Sequence, residues 1–204
     1  MGKLSMELVK AKACFVAVAC LVGTALAGEI TGRSEGSSKG AAGAAGVELP
    51  VKVGQRAPAF ALRDREGNLV RLGDFVGPSH SGRKGARGLL IDFFRTDCEP
   101  CRRELPEVVK FYRENSARVQ VLMVALLEEE DGEQKLARFL EQHKLPFPVL
   151  VDMYETVAKK YVASGESVTL PAIFYIDPAG TIRTVMLGLK KDLASSLSGF
   201  LAEK

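Results

Sequence analysis

The chain has 204 residues, 28 of them Lys or Arg and 25 Asp or Glu, for a formal net charge of +3; it contains no Trp. So even a balance gives nucleic acid no electrostatic footing, and the length suits one ordinary hydrophobic core. With only two His and four Cys, ligands for a structural metal are scarce.

The first segment reads as an export signal. Lys3, Lys10 and Lys12 precede an almost wholly apolar run from Ala13 to Leu26, which ends in Ala25-Leu26-Ala27. A basic start, an apolar centre and small residues at the end define a secretory signal peptide over residues 1–27. Cleavage there removes Cys14 and Cys20, together with three Lys and one Glu. It leaves 25 basic and 24 acidic residues, a net charge of +1. The apolar run falls short of the ~20 residues a spanning helix needs. Retention as an uncleaved anchor, or lipidation at Cys20, is the alternative that would tether the protein to a membrane. Export places the remaining cysteines where disulfides persist, in the periplasm or another extracytoplasmic compartment.

Residues 28–46 hold six Gly, four Ala and three Ser. They lack the apolar surface to offset the entropy of ordering, so 28–48 is expected to be a flexible linker. The folded domain is expected over 49–204. Ala59–Arg63 and Asn68–Leu72 flank Asp64-Arg65-Glu66-Gly67 as a hairpin, and Gly77–Gly88 is a loop. Leu89–Phe94 is a buried strand, Glu99–Asn115 a helix and Val119–Leu127 a second apolar strand. An acidic run, Glu128 to Asp131, precedes a helix at Glu133–His143 and reads as a solvated loop or helix start. Pro148–Val151 is extended, and Glu155–Val162 is a helix. Ala172–Asp177 and Thr181–Leu187 form a hairpin about Pro178-Ala179-Gly180. A helix at Lys190–Ala202 closes the chain. Two βα crossovers before a terminal hairpin give an α/β fold, a mixed central sheet with helices on both faces.

Cys98-Glu99-Pro100-Cys101 lies where the strand ends and the helix begins. Two cysteines three apart on a first helical turn share a face, close enough to join and part as a disulfide. The helix N-terminus favours a thiolate. Cys98, at or before the first turn, is expected to attack, and Cys101, one turn in and more shielded, to resolve the mixed disulfide. Asp97 and Glu99 oppose the Cys98 thiolate, whereas Arg95, Arg102 and Arg103 favour it. A zinc site would need further ligands, and once residues 1–27 are gone there is no other Cys, only His80 and His143. No metal or cofactor is expected.

Phe93 to Pro106, with its Cys98-Glu99-Pro100-Cys101 core, resembles the active-site segment of the TlpA/ResA-like thioredoxin family. Thr169-Leu170-Pro171-Ala172-Ile173-Phe174-Tyr175-Ile176-Asp177-Pro178-Ala179-Gly180 is similar to that family's P-x-x-F-x-I-D-x-x-G segment. The resemblance runs from about Val53 to Phe200. It implies a thioredoxin-like three-layer fold with an N-terminal β-hairpin extension, and a cis Pro171 facing the cysteines. Leu170 and Pro171 would then pair with substrate backbone, and Glu104 would accept the Cys101 proton. It further implies a monomeric exported oxidoreductase that reduces disulfides of selected clients such as apocytochrome c, recharged by a membrane-embedded thiol donor. Asp97 departs from the family, which carries Trp there. A peroxiredoxin-like peroxidase is the enzymatic alternative, but Thr96 is only two residues before Cys98 and the proline expected before that threonine is absent. A non-catalytic binding module with a copper-chaperone role is the other alternative.

Overall fold

A computed structural model describes residues 48–80, 85, 87–127, 131–165 and 167–202. The expected signal peptide and all of the expected linker except Glu48 lie outside the described residues, as do 81–84 and 86 of the Gly77–Gly88 loop and 128–130 of the acidic run.

Nine strands and four α-helices are present among the described residues: β1 (Ala61–Asp64), β2 (Leu69–Arg71), β3 (Gly88–Phe94), α1 (Glu99–Asn115), β4 (Val119–Leu126), α2 (Gly132–His143), β5 (Val149–Asp152), α3 (Ala158–Tyr161), β6 (Ala163–Ser164), β7 (Ser167–Val168), β8 (Ala172–Ile176), β9 (Ile182–Leu187) and α4 (Leu193–Ala202). Seven strands form one mixed sheet in the order β2-β1-β5-β4-β3-β8-β9. β3, β4 and β5 run parallel, as their helical crossovers require, and β1, β8 and β9 join antiparallel. The β1–β2 hairpin thus extends the sheet beyond β5.

Alternation along β3 sorts its side chains between two cores. Leu89, Ile91 and Phe93 pack with Leu122, Val124, Leu150, Phe174 and Tyr161 on the α3 face. Leu90 and Phe94 pack with Met123, Ile173, Leu105, Phe111, Phe139 and Leu197 on the face covered by α1, α2 and α4. Each such fully buried side chain contributes about 1.5–3 kcal/mol. Phe93, Tyr161 and Phe174 meet with ring centroids 5.2–5.8 Å apart, and the Tyr161 hydroxyl donates to the Pro58 carbonyl at 2.6 Å.

Two helices are shorter than their sequence pattern. Glu155–Val162 reduces to α3 because Glu155 sits in the left-handed region at φ 54°. The buried Asp152 carboxylate also accepts from the Thr156, Val157 and Ala158 amides, fixing the turn before the helix. α4 begins at Leu193 rather than Lys190, because the Lys190 amide donates to a side chain of α1 and Asp192 receives the Ser195 amide. The β8–β9 turn matches its sequence. Gly180 takes φ 90°, open to glycine, while the Asp177 carboxylate receives the Thr181 amide.

Candidate active site

α1 starts where β3 ends. Cys98 caps it in extended conformation, and its sulfur accepts from the Cys101 amide at 3.2 Å. Pro100 occupies the first turn, where the missing N–H is harmless. Cys101, Leu105, Val108 and Phe111 recur at helical spacing and turn into the sheet. Pro106 lies within the helix and leaves the Arg102 carbonyl without its usual donor four residues on.

Cys98 and Cys101 are joined in a disulfide, S–S 2.05 Å, with their Cα atoms 5.3 Å apart. Cys101 is buried at 6% exposure, whereas Cys98 is only partly covered. Of the two sulfur-bearing residues, Cys98 is therefore the more open to solvent.

The charges around Cys98 are largely committed to one another. Arg95 is ion-paired with Glu155 from the β5–α3 turn, and Glu99 bridges Arg102 at 3.2 Å and Arg103 at 4.0 Å. The three arginines expected to favour the thiolate thus meet two carboxylates, Glu155 for Arg95 and Glu99 shared by Arg102 and Arg103. Asp97 is exposed on the same rim.

Beneath the disulfide the picture differs. Glu104 is 1% exposed, not a solvated helix residue. Its Oε1 accepts the Lys190 amide at 2.5 Å, and its Oε2 is buried with no partner among the described residues. Burial pushes its pKa up to about 7, against the restraining effect of the Lys190 amide and charge. Asp92, in the middle of β3, is 3% exposed with Oδ1 likewise unpartnered among the described residues. Alternation puts it on the same sheet face as Leu90 and Phe94, the face that carries Cys101. Burial, and secondarily the charge of Glu104, raise its pKa well above the usual carboxylate range. Asp92 is the residue that sequence reasoning missed. Its signal was a lone carboxylate in an apolar strand, six residues before Cys98.

Leu170–Pro171 is a cis peptide. Ala172 pairs with Phe93, so Pro171 enters β8 at the end of β3 from which the chain leaves for Cys98. Leu170 packs against the cluster that contains Cys101. The Pro171 carbonyl receives the Gly188 amide, and two residues later the Lys190 amide reaches Glu104. One short stretch after β9 thereby ties the Pro171 loop to α1.

Among the described residues, no group of three or more His, Cys, Asp or Glu is placed to hold a metal ion, and no helix is long and apolar enough to cross a membrane.

Residues 53–185 match the AhpC/TSA family. The thiol-disulfide oxidoreductase ResA of Geobacillus kaustophilus is 32% identical over 154 residues, spanning 72% of this chain and 77% of that protein. Among solved structures, the thioredoxin domain of a thiol-disulfide oxidoreductase from Bacteroides vulgatus aligns at 27% identity and TM-score 0.58, covering 74% of this chain and 99% of that one. StoA from Bacillus subtilis aligns at 25% identity and TM-score 0.54, covering 72% and 98%. The family match runs over β1 to β8, α1 and the Pro171 loop alike. The chain belongs to the AhpC/TSA family and is a ResA-like thiol–disulfide oxidoreductase with a thioredoxin-like fold.

Proposed function

We propose that this oxidoreductase works outside the cytoplasm as a reductant of selected client disulfides, apocytochrome c among them, and is recharged by a membrane-embedded thiol donor. The observation that carries this reading is the Cys98–Cys101 disulfide, with one sulfur accessible and the other buried on the face that holds Asp92 and Glu104.

The sequence of bonds is simple. In the reduced protein the Cys98 thiolate, favoured by the Cys101 amide, attacks a client disulfide. One client sulfur leaves as thiolate, and Cys98 is held in a mixed disulfide. Cys101 then gives up its proton and attacks the Cys98 sulfur. The second client sulfur is released, and the Cys98–Cys101 disulfide forms. Two electrons have passed from the protein's thiols to the client. The Cys101 proton needs a nearby acceptor in a dry setting. A Glu104 carboxyl poised near pH 7 is matched to that task, since an effective base titrates close to the working pH. Asp92 beside it favours keeping a proton on the pair, because two buried carboxylates in electrostatic contact resist ionising together. Leu170 and Pro171 offer backbone at the cysteine end of β8, where an extended client segment can lie.

Equilibration of the protein with defined thiol buffers tests the direction. A reductant has a reduction potential more negative than about −200 mV; a value near about −120 mV would make the protein an oxidant. Absence of a reversible couple would sink the exchange chemistry itself.

A further inference from the structure

One outward face of α1 is not used by the sheet. Arg102, Pro106, Val109, Lys110 and Arg113 recur at helical spacing. With Leu105 and Leu145 they line a groove of about 400 Å³ between α1 and the end of α2. Its floor is apolar and its rim cationic. A second hollow of about 360 Å³ shares Arg102 and continues past Arg138 of α2 to Thr96 and Asp97, the two residues before Cys98. The two hollows, joined at Arg102, run from Thr96 and Asp97, next to Cys98 in the chain, along the helix pair.

The rim charges are not all spent. Arg102 is bridged to Glu99. Among the described residues, Lys110, Arg113 and Arg138 form no ion pair, and all three are exposed. Glu114 and Asp97 are the only carboxylates among the residues lining the two hollows. Exposed, unmatched cations around an apolar floor fit a partner that brings carboxylates and a few apolar side chains.

We propose that this groove docks an acidic segment of the client polypeptide that flanks the cysteine attacked by Cys98; the proposal rests on the disulfide-exchange function given above. From Arg102 to Arg113 the helix advances about 16 Å, the span of about five extended residues. The segment therefore presents a carboxylate to Arg138 near the reacting sulfur and others, about five residues on, to Lys110 and Arg113. Apolar side chains between them rest on Pro106, Val109 and Leu145. The groove sets which disulfides are met and in what register. The chemistry stays with the cysteines.

The test uses the full chain, reduced, against three disulfides: a short peptide disulfide with acidic flanks, the same peptide with basic flanks, and hydroxyethyl disulfide. Each turnover converts one substrate disulfide to two thiols and the protein's thiols to the Cys98–Cys101 disulfide. At low ionic strength the acidic peptide is expected to react about tenfold or more faster than the basic one, a gap that closes as salt screens it. The triple variant Lys110→Glu, Arg113→Glu, Arg138→Glu is expected to lose that preference and keep its rate with hydroxyethyl disulfide. Three results overturn the proposal: equal rates for the two peptides, a preference that survives in the triple variant, or an equal slowing of all three substrates. Loss of binding to phosphatidylglycerol vesicles by the variant, with peptide preference intact, overturns it in favour of a lipid surface. If the unaltered protein reduces none of the three, the exchange function falls and the docking proposal with it. Reduction of all three at one rate removes only the docking proposal.

Discussion

Replacing Glu104 by Gln isolates the buried carboxyl beneath the disulfide. In the unfolded chain this group releases its proton near 4.5, and in the folded protein at about 7. Between those values the folded state holds more proton than the unfolded one, so stability is full below pH 4.5 and falls as pH rises through 7. At about 1.36 kcal/mol per pH unit the whole window amounts to about 3 kcal/mol, an order-of-magnitude figure for a group only 1% exposed. Gln keeps an oxygen for the Lys190 amide and does not titrate. Its buried NH2 adds an offset that is constant with pH except where Asp92 ionises. Urea unfolding of the oxidised protein and of Glu104→Gln, from pH 4.5 to pH 8, measures the difference directly. The variant is expected to gain on the unaltered protein by about 3 kcal/mol across that range, while its exchange rate with a client disulfide falls for want of a proton acceptor. Asp92 shifts in the same direction and persists in the variant, so a residual slope of the same sign is expected. A stability difference that stays flat with pH would refute the claim that Glu104 is held in a desolvated site.

Two further changes probe the scaffold and the rim. A Cβ on Gly88 would lie 2.5 Å from the Tyr175 hydroxyl, so Gly88→Ala is expected to displace that ring and destabilise the fold by about 1–3 kcal/mol, read from the shift in urea midpoint. Asp97→Asn removes the exposed charge next to Cys98 and is expected to lower the thiol pKa of the reduced protein, followed by thiolate absorbance; an unchanged or higher value would show that Asp97 does not oppose the thiolate.

The strand–cysteine–helix unit was legible because its cues are local. Leu89–Phe94 is apolar on both faces, Pro100 marks a first helical turn, and Cys101, Leu105, Val108 and Phe111 keep helical period. Chain order then dictated the mixed sheet. What stayed hidden depends on partners distant in sequence. Glu104 is buried because the Lys190 amide, 86 residues on, closes over it, and Arg95 is neutralised by Glu155, 60 residues on. Neither pairing leaves a periodic trace. Asp92 stood in plain view, but one carboxylate does not disturb an apolar pattern, and only the face it shares with Cys101 gives it meaning. The two-residue strands β6 and β7 are too short for alternation to register.

Disulfide exchange by this protein requires Cys98 as the attacking sulfur and Cys101 as the resolving one. Mass analysis of Cys101→Ser and Cys98→Ser, each reduced and then mixed with a client disulfide, tests that order most directly. Cys101→Ser is expected to accumulate a mixed disulfide mapped to Cys98, and Cys98→Ser to accumulate none. A stable adduct on Cys101 in the second variant, or none in either, would contradict that order.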